Sequence, residues 1–429
     1  MKPCIFPIRC LLLLAIALGW SQSAPLAAAD DPPAAEIARW AAGLNSREFQ
    51  VRQEASRKLV AAGPAALSEL AQAAQDGDSE VRKRAMHVLL EQGLAAQIER
   101  RTPARLALER LAASDDPLVA GAARGALETV REVSVSLAVN ELTRLGATVM
   151  PQENGFPVRY AVQIGQSWRG GNAGLALLDD LGNVQWLSLE NSPISDAGLA
   201  HVARLTSLQN LFLGSTHITG SGLDQLAPLA DLQYLSLKHL PIDDAALADL
   251  PEFPRLVKLG LDFTNVTDRG LAYLDRYLAL QEIWLDQTRV TDAGMTHLRK
   301  LTALHTLYLT GTKATGPGLV ELRQLNSLRY LSLKQATLRP DTLKHVGQLT
   351  QLETLGLDHT NVTDAQLADL AGLSRLRTLW LSKTPITDDG LEHLKQLKAL
   401  QIVYLHGSQV SKEAAQAMQK SIPGSHFAR

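Results

Sequence analysis

The sequence predicts an α/β solenoid preceded by a small all-α domain. Three observations predict it. From Val184 onward the chain is one 24-residue unit written ten times, starting at Val184, Leu208, Leu232, Leu256, Leu280, Leu304, Leu328, Leu352, Leu376 and Leu400, without insertion or deletion. A fixed period of that length means stacked coils, because one unit cannot bury its apolar face alone. Within each unit the hydrophobic period switches from that of a strand to that of a helix. Residues 30–131, in contrast, are Ala-rich and helical in pattern, with little β-branched alternation.

One copy, residues 376–399, reads LRTLWLSKTPITDDGLEHLKQLKA, with apolar residues at offsets 0, 3, 5, 10, 15, 18 and 21. Offset 5 is leucine in all ten units, from Leu189 to Leu405. Offsets 3 and 5 alternate with polar or aromatic residues at 2, 4 and 6, which is strand spacing. Offsets 15, 18 and 21, here Leu391, Leu394 and Leu397, lie on one face of a short helix. Between them stands Ser-Asp or Thr-Asp, as at Ser195-Asp196, Thr267-Asp268, Thr291-Asp292, Thr363-Asp364 and Thr387-Asp388. These pairs are predicted to cap that helix. Offset 8 is Thr or Ser in eight units, and these hydroxyls are expected to satisfy backbone groups of the neighbouring coil. Leu240 and Ala336 break the column, where looser hydrogen bonding is expected.

The pattern LxxLxLxxTxITDxGLxxLxxL, nearly whole in residues 280–301 and 376–397, resembles the leucine-rich repeat family. It is most similar to the cysteine-containing subclass, with Thr or Ser in place of Cys, and to leucine-rich repeat proteins exported by bacteria. The resemblance covers about 240 residues. It implies a curved solenoid with a parallel sheet on its concave face, and binding rather than catalysis. It names no ligand.

A second period of 96 residues, four units, lies over the first. Ser236, Gly260, Trp284 and Tyr308 at offset 4 recur as Ser332, Gly356, Trp380 and Tyr404. Duplication of a four-unit block is the simplest account.

Residues 1–29 read as a cleaved secretory signal: Lys2 and Arg9, an apolar run over residues 11–20, then Ala27-Ala28-Ala29. The run is short for a transmembrane helix, so no membrane span is expected after cleavage. Both cysteines, Cys4 and Cys10, fall in this segment, so the mature chain would carry no thiol or disulfide. Its removal leaves 40 basic against 44 acidic residues, a charge of −4. Without a basic excess, nucleic-acid binding by counterion release is not expected.

In residues 30–131, the segments 45–63 and 77–93 share V-R-x-x-A thirty residues apart, and 115–127 is a weaker third copy. They resemble HEAT-type helical pairs, which implies Val and Ala packed inward, with helices ending near Gly63 and Gly93. Residues 132–183 are read as a connector and N-terminal cap. A short helix over 136–145 is followed by a strand at 147–150, an Asn154-Gly155 hairpin turn and a strand at 159–164. Residues 184–429 are the ten repeats, degrading at 412–420 into a C-terminal cap with Ala415 and Met418 in the core columns.

Catalytic signatures are lacking: the chain has no HExxH, GxSxG, P-loop or GxGxxG pattern, and no cofactor or metal is expected. The glycine cluster at residues 170–174 reads as a turn rather than an anion cradle. The concave face is richer. Offsets 2 and 4 place Trp186, Phe212, Tyr234, Trp284, Tyr308, Tyr330, Trp380 and Tyr404 there, eight of only 20 aromatic residues. Rings of this kind give large, rigid contact area to a sugar or a peptide. Asp262 and Asp286 occupy offset 6 on neighbouring strands, roughly 5 Å apart, with Lys238 and Lys334 each one strand before an acid. The expectation is an exported, non-enzymatic binding or scaffold protein in the periplasm or at the cell surface. It would recognise a protein or polysaccharide through the eight rings and Asp286. The alternatives are an enzyme or enzyme subunit acting on envelope polymer, and a self-associating envelope protein.

Overall fold

The computed structural model describes residues 32–95, 97–152 and 158–429. The leader and the Asn154-Gly155 turn lie outside them. The chain divides into two compact units, one ending at Val133 and the other running Ser134–Arg429.

The first unit is helical: α1 (Ala34–Gly43), α2 (Phe49–Ala62), α3 (Leu67–Asp76), α4 (Ser79–Gly93), α5 (Ile98–Ala112) and the start of α6 (Pro117–Arg144). Ala55, Ala85 and Ala123, the alanines of the V-R-x-x-A copies, are all buried. Val81 and Val119 follow them inward, whereas Val51 stays 42% exposed on the first turn of α2, against expectation. Asp78 caps α4, its carboxylate accepting from the backbone N–H of Glu80 and Val81. Asp116 accepts from Leu118 N–H at 2.8 Å in the same way. Gly63 ends α2 in a left-handed conformation (φ 58°).

No short separate helix stands at 136–145. Helix α6 is continuous for 28 residues, because nothing between Pro117 and Arg144 stops it. A Cβ added at either of its glycines, Gly121 or Gly125, would meet nothing within 4 Å, so they only lower helix propensity.

The second unit is a single 13-stranded sheet whose strands are ordered as in the sequence. Strands β1 (Thr148–Gln152) and β2 (Arg159–Gln163) pair antiparallel, and all later pairs are parallel. Ten three- to five-residue strands, β3 (Val184–Ser188) to β12 (Ile402–Tyr404), belong to the ten repeats. Each pairs in register with its own copy one coil on, as Trp284 opposite Tyr308 shows. The leucines at offsets 0, 3 and 5 form a continuous core with the helix-side leucines. The cap strand β2 is one residue out of phase with the period, pairing Ala161 with Trp186 after an irregularity at Tyr160. A last strand, β13 (His426–Ala428), pairs with β12 and covers that edge of the sheet. It follows the cap helix Lys412–Ser421, in which Ala415 and Met418 are buried as expected.

Two details of the coil differ from the sequence reading, and a third lies outside it. The offset-8 hydroxyls bond within their own coil, not to the neighbouring one: Thr264 Oγ1 donates to Leu261 O at 2.6 Å, and Thr288 and Thr384 repeat this. At Leu240 and Ala336 only the backbone bond to Leu237 O (3.3 Å) and Leu333 O (3.4 Å) remains. In the Ser/Thr-Asp pairs the hydroxyl caps its own helix as expected at Thr267 and Thr291, accepting from the N–H of Arg269 and Ala293, while the aspartate faces the next coil. Asp196, Asp268, Asp364 and Asp388, and Asp244 after Asp243, each accept from both the N–H and the hydroxyl of the Thr or Ser 23 residues on. Asn172 begins this ladder in the cap, bonding Ser195. Finally, all eight non-glycine residues at the offset-7 turn, from Asn191 to Lys383, are left-handed (φ 54–60°). That conformation costs roughly 1 kcal/mol outside glycine. Each of their N–H groups recovers a bond to the next coil, as Phe263 N–H does to Asp286 O at 2.8 Å.

The Asp ladder explains a glycine column. A Cβ on Gly390 would lie 2.2 Å from Asp364 Oδ1, and on Gly270 2.5 Å from Asp244 Oδ1. Where the preceding coil carries no acid (Gly220, Gly316, Pro340), the same position is Ala246, Thr342 or Gln366. Ala414, facing Asp388, is the exception at the cap.

Candidate binding surface

Offsets 2 and 4 flank the buried offset 3 on each strand, so their side chains stand on the sheet face turned away from the leucine core. All eight predicted aromatic residues stand there, each half-buried. The structure joins six of them into one ribbon. Ring centroids are 5.3 Å apart for Trp186–Phe212, 4.7 Å for Phe212–Tyr234 and 5.5 Å for Tyr234–Trp284. The ribbon continues through Trp284–Tyr308 at 5.7 Å, stacked within 9°, and Tyr308–Tyr330 at 4.7 Å. Tyr234 and Trp284 are two strands apart. They meet because Gly260, on the strand between them, presents no side chain. Trp380 and Tyr404 form a separate stacked pair at 4.2 Å.

The duplicated blocks are not identical in arrangement. In the first, Tyr234 stacks on Trp284. In the second, Tyr330 leans back to Tyr308, and Lys334 Nζ sits 3.9 Å from the Trp380 ring centroid. The sequence shows the repeat of residues but not this exchange of partners.

Burial raises the pKa of Tyr234, Tyr308 and Tyr330, with Tyr234 reaching about 12, so the ribbon carries neutral hydroxyls. Asp262 and Asp286 each have a structural bond: Asp262 Oδ1 accepts from Asp286 N–H at 3.0 Å, and Asp286 Oδ1 from Thr310 N–H at 2.7 Å. Asp358 does the same for Ser382. Burial lifts the Asp262 carboxyl to about 6 and raises Asp286, against the pull of those N–H groups.

This shift fixes the sign of a pH effect. The folded state holds the Asp262 proton up to about pH 6, while the unfolded chain releases it near the ordinary value of 3.8. Stability from this group is therefore complete below pH 3.8 and falls as pH rises to about 6. Asp262→Asn, which keeps an acceptor for Asp286 N–H, is expected to raise the melting temperature at neutral pH. The gain should vanish at acid pH, and thermal melts at both pH values check this.

The glycine cluster serves packing. Trp168 is buried, its Nε1 donating to Gly171 O at 2.9 Å. A Cβ on Gly170 or Gly174 would lie 2.3 or 2.7 Å from the indole. Trp168 was not singled out in the sequence, and the glycine spacing around it was the available signal. Among the described residues no group of three or more His, Cys, Asp or Glu side chains gathers to hold a metal, and no helix is long and apolar enough to cross a membrane.

No family model and no curated protein matches the chain. Solved structures similar to it include an internalin from Listeria monocytogenes, 19% identical over 63% of this chain and 86% of that one, with a TM-score of 0.39. A Leptospira interrogans leucine-rich repeat protein is 20% identical over 59% of this chain and 80% of its own, with a TM-score of 0.35. The mouse RP105/MD-1 complex is 19% identical over 57% of this chain and 42% of the matched one, with a TM-score of 0.44. Its 24-residue coils, in-register parallel strands and shared leucine core make the second unit a leucine-rich repeat solenoid.

Proposed function

We propose that the protein is an exported, non-enzymatic binding module that recognises a protein or polysaccharide across the open face of its sheet. The observation that carries this is the six-ring ribbon from Trp186 to Tyr330, continued by the Trp380–Tyr404 pair. Rings kept half in water on a sheet face are costly without a partner, and anchors of this type dominate binding energy at interfaces. The strand row is long enough for an extended ligand rather than a metabolite. The helical first unit serves as a second docking surface or spacer.

The test is a pull-down from envelope extract with the mature protein. The comparison variant carries Trp284→Ala, Tyr308→Ala, Trp380→Ala and Tyr404→Ala, after circular dichroism shows that it folds. A partner held by the wild type and lost by the variant is the expected result. A partner held equally by both overturns the reading.

A further inference from the structure

The charges on the open face balance pair by pair except at one place. Lys258 pairs with Glu282 at 2.8 Å. Lys238 reaches two coils back to Glu190 at 2.8 Å. Lys334, its copy 96 residues on, turns the other way and pairs one coil forward with Asp358 at 2.9 Å. The two lysines thus swing apart. Asp262, one coil ahead of Lys238, and Asp286, two coils behind Lys334, are left between them on adjacent strands. Neither has an ion pair among the described residues: Asp262 accepts from the Asp286 N–H, and Asp286 from the Thr310 N–H and hydroxyl.

The second block shows what such a position accepts. There the ammonium of Lys334 lies over the Trp380 ring and against the Asp358 carboxylate. The matching residues of the first block are Trp284 and Asp262, and their lysine has gone elsewhere. Asp286 adds a second carboxylate beside them, so two acids stand together here while the lysines of this block, Lys238 and Lys258, are paired with Glu190 and Glu282. Two half-buried carboxylates flanked by the faces and edges of aromatic rings attract an ammonium or guanidinium. A metal is a poorer fit, since one oxygen of each carboxylate is committed to a backbone N–H and, among the described residues, no group of three His, Cys, Asp or Glu side chains gathers there.

We propose that the open face binds an extended basic peptide, one lysine or arginine of which seats against Asp262 and Asp286 beside Trp284 and Tyr308. This deepens the binding reading above and rests on it. The neighbouring rings take the peptide's uncharged flanks, while the carboxylates select for the cation.

The experiment titrates the full chain with a Lys-Gly-Lys-Gly-Lys peptide, read by tryptophan fluorescence and calorimetry. Its partners are the same peptide acetylated on every lysine, and the variants Asp262→Asn, Asp286→Asn and the double. Each single substitution is expected to weaken binding about tenfold, with the acetylated peptide not bound. Asparagine retains the acceptor for the backbone N–H, and the single variants decide if the double does not fold. Equal binding of the acetylated peptide, or unchanged affinity in the Asn variants, overturns the proposal. If the peptide does not bind while the pull-down partner still depends on the rings, the basic-peptide assignment falls and the broader reading stands. If no partner depends on the rings either, both fall.

Discussion

Trp168→Ala is expected to lower the stability of the second unit by about 3–5 kcal/mol, the cost of removing a buried ring from a site that cannot collapse. The site is built around the indole. Gly170 and Gly174 leave the space that a side chain would fill, and the Gly171 carbonyl accepts its N–H. The cap shields the open end of the leucine core, so the loss is felt by Leu175 and Leu178 beneath it. Trp168→Phe should restore more than half of the deficit, since it refills most of the volume and forgoes one hydrogen bond. Urea unfolding followed by circular dichroism reads the difference. A loss below about 1 kcal/mol would show that the glycines close over the gap.

Gly390→Ala is the second large effect, and its sign runs against helix propensity. Alanine is ordinarily the better residue inside a helix by about 1 kcal/mol. Here its methyl would meet Asp364 Oδ1 and stand 2.9 Å from Ile386 Cγ2. A destabilisation of about 2–3 kcal/mol is expected from overpacking and from displacing the carboxylate off Thr387. Asp364→Ala alone should cost about 2 kcal/mol by leaving the Thr387 groups unpaired. The double variant is expected to cost less than the sum by at least about 1 kcal/mol, because the acid and the methyl contend for one space. Additive costs, measured by denaturant titration of all four proteins, would refute the coupling between the acid and glycine columns.

The coil was legible because every element has a local signature that repeats. Leucines at offsets 3 and 5 gave the strands, and those at 15, 18 and 21 the helix side. What repeats in sequence without a local signature was misread. The stacked column of offset-8 hydroxyls pointed to the next coil, yet each bonds the carbonyl three residues back. The aspartates of the Ser/Thr-Asp pairs bond a partner 23 residues away, which is set by stacking and which a single unit does not express. The left-handed turn at offset 7 was hidden for a related reason. Its usual markers, Gly or Asn, occur only at Gly311, Gly407 and Asn191, and elsewhere Ser, His, Phe, Gln or Lys is held there by bonds to the next coil. Strand β13 lies outside the repeat and is too short to declare itself.

The open face divides in the same way. Strand alternation placed all eight rings on it. Their linkage into one ribbon and one pair depends on rotamers and on which lysine turns which way, and neither is written in the offset pattern. Asp286 belongs to this face as expected, and its neighbour Asp262 carries the larger shift in acidity.

The claim that this face is the binding surface is tested most directly by oxidative footprinting with and without the captured partner. Trp284, Tyr308 and Trp380 report on the sheet, and Tyr273, 41% exposed on the helix side, is the internal control. The account predicts that the partner protects the three sheet residues and leaves Tyr273 unchanged. Protection of Tyr273 with the sheet rings still reactive would contradict it and move the site to the opposite side of the solenoid.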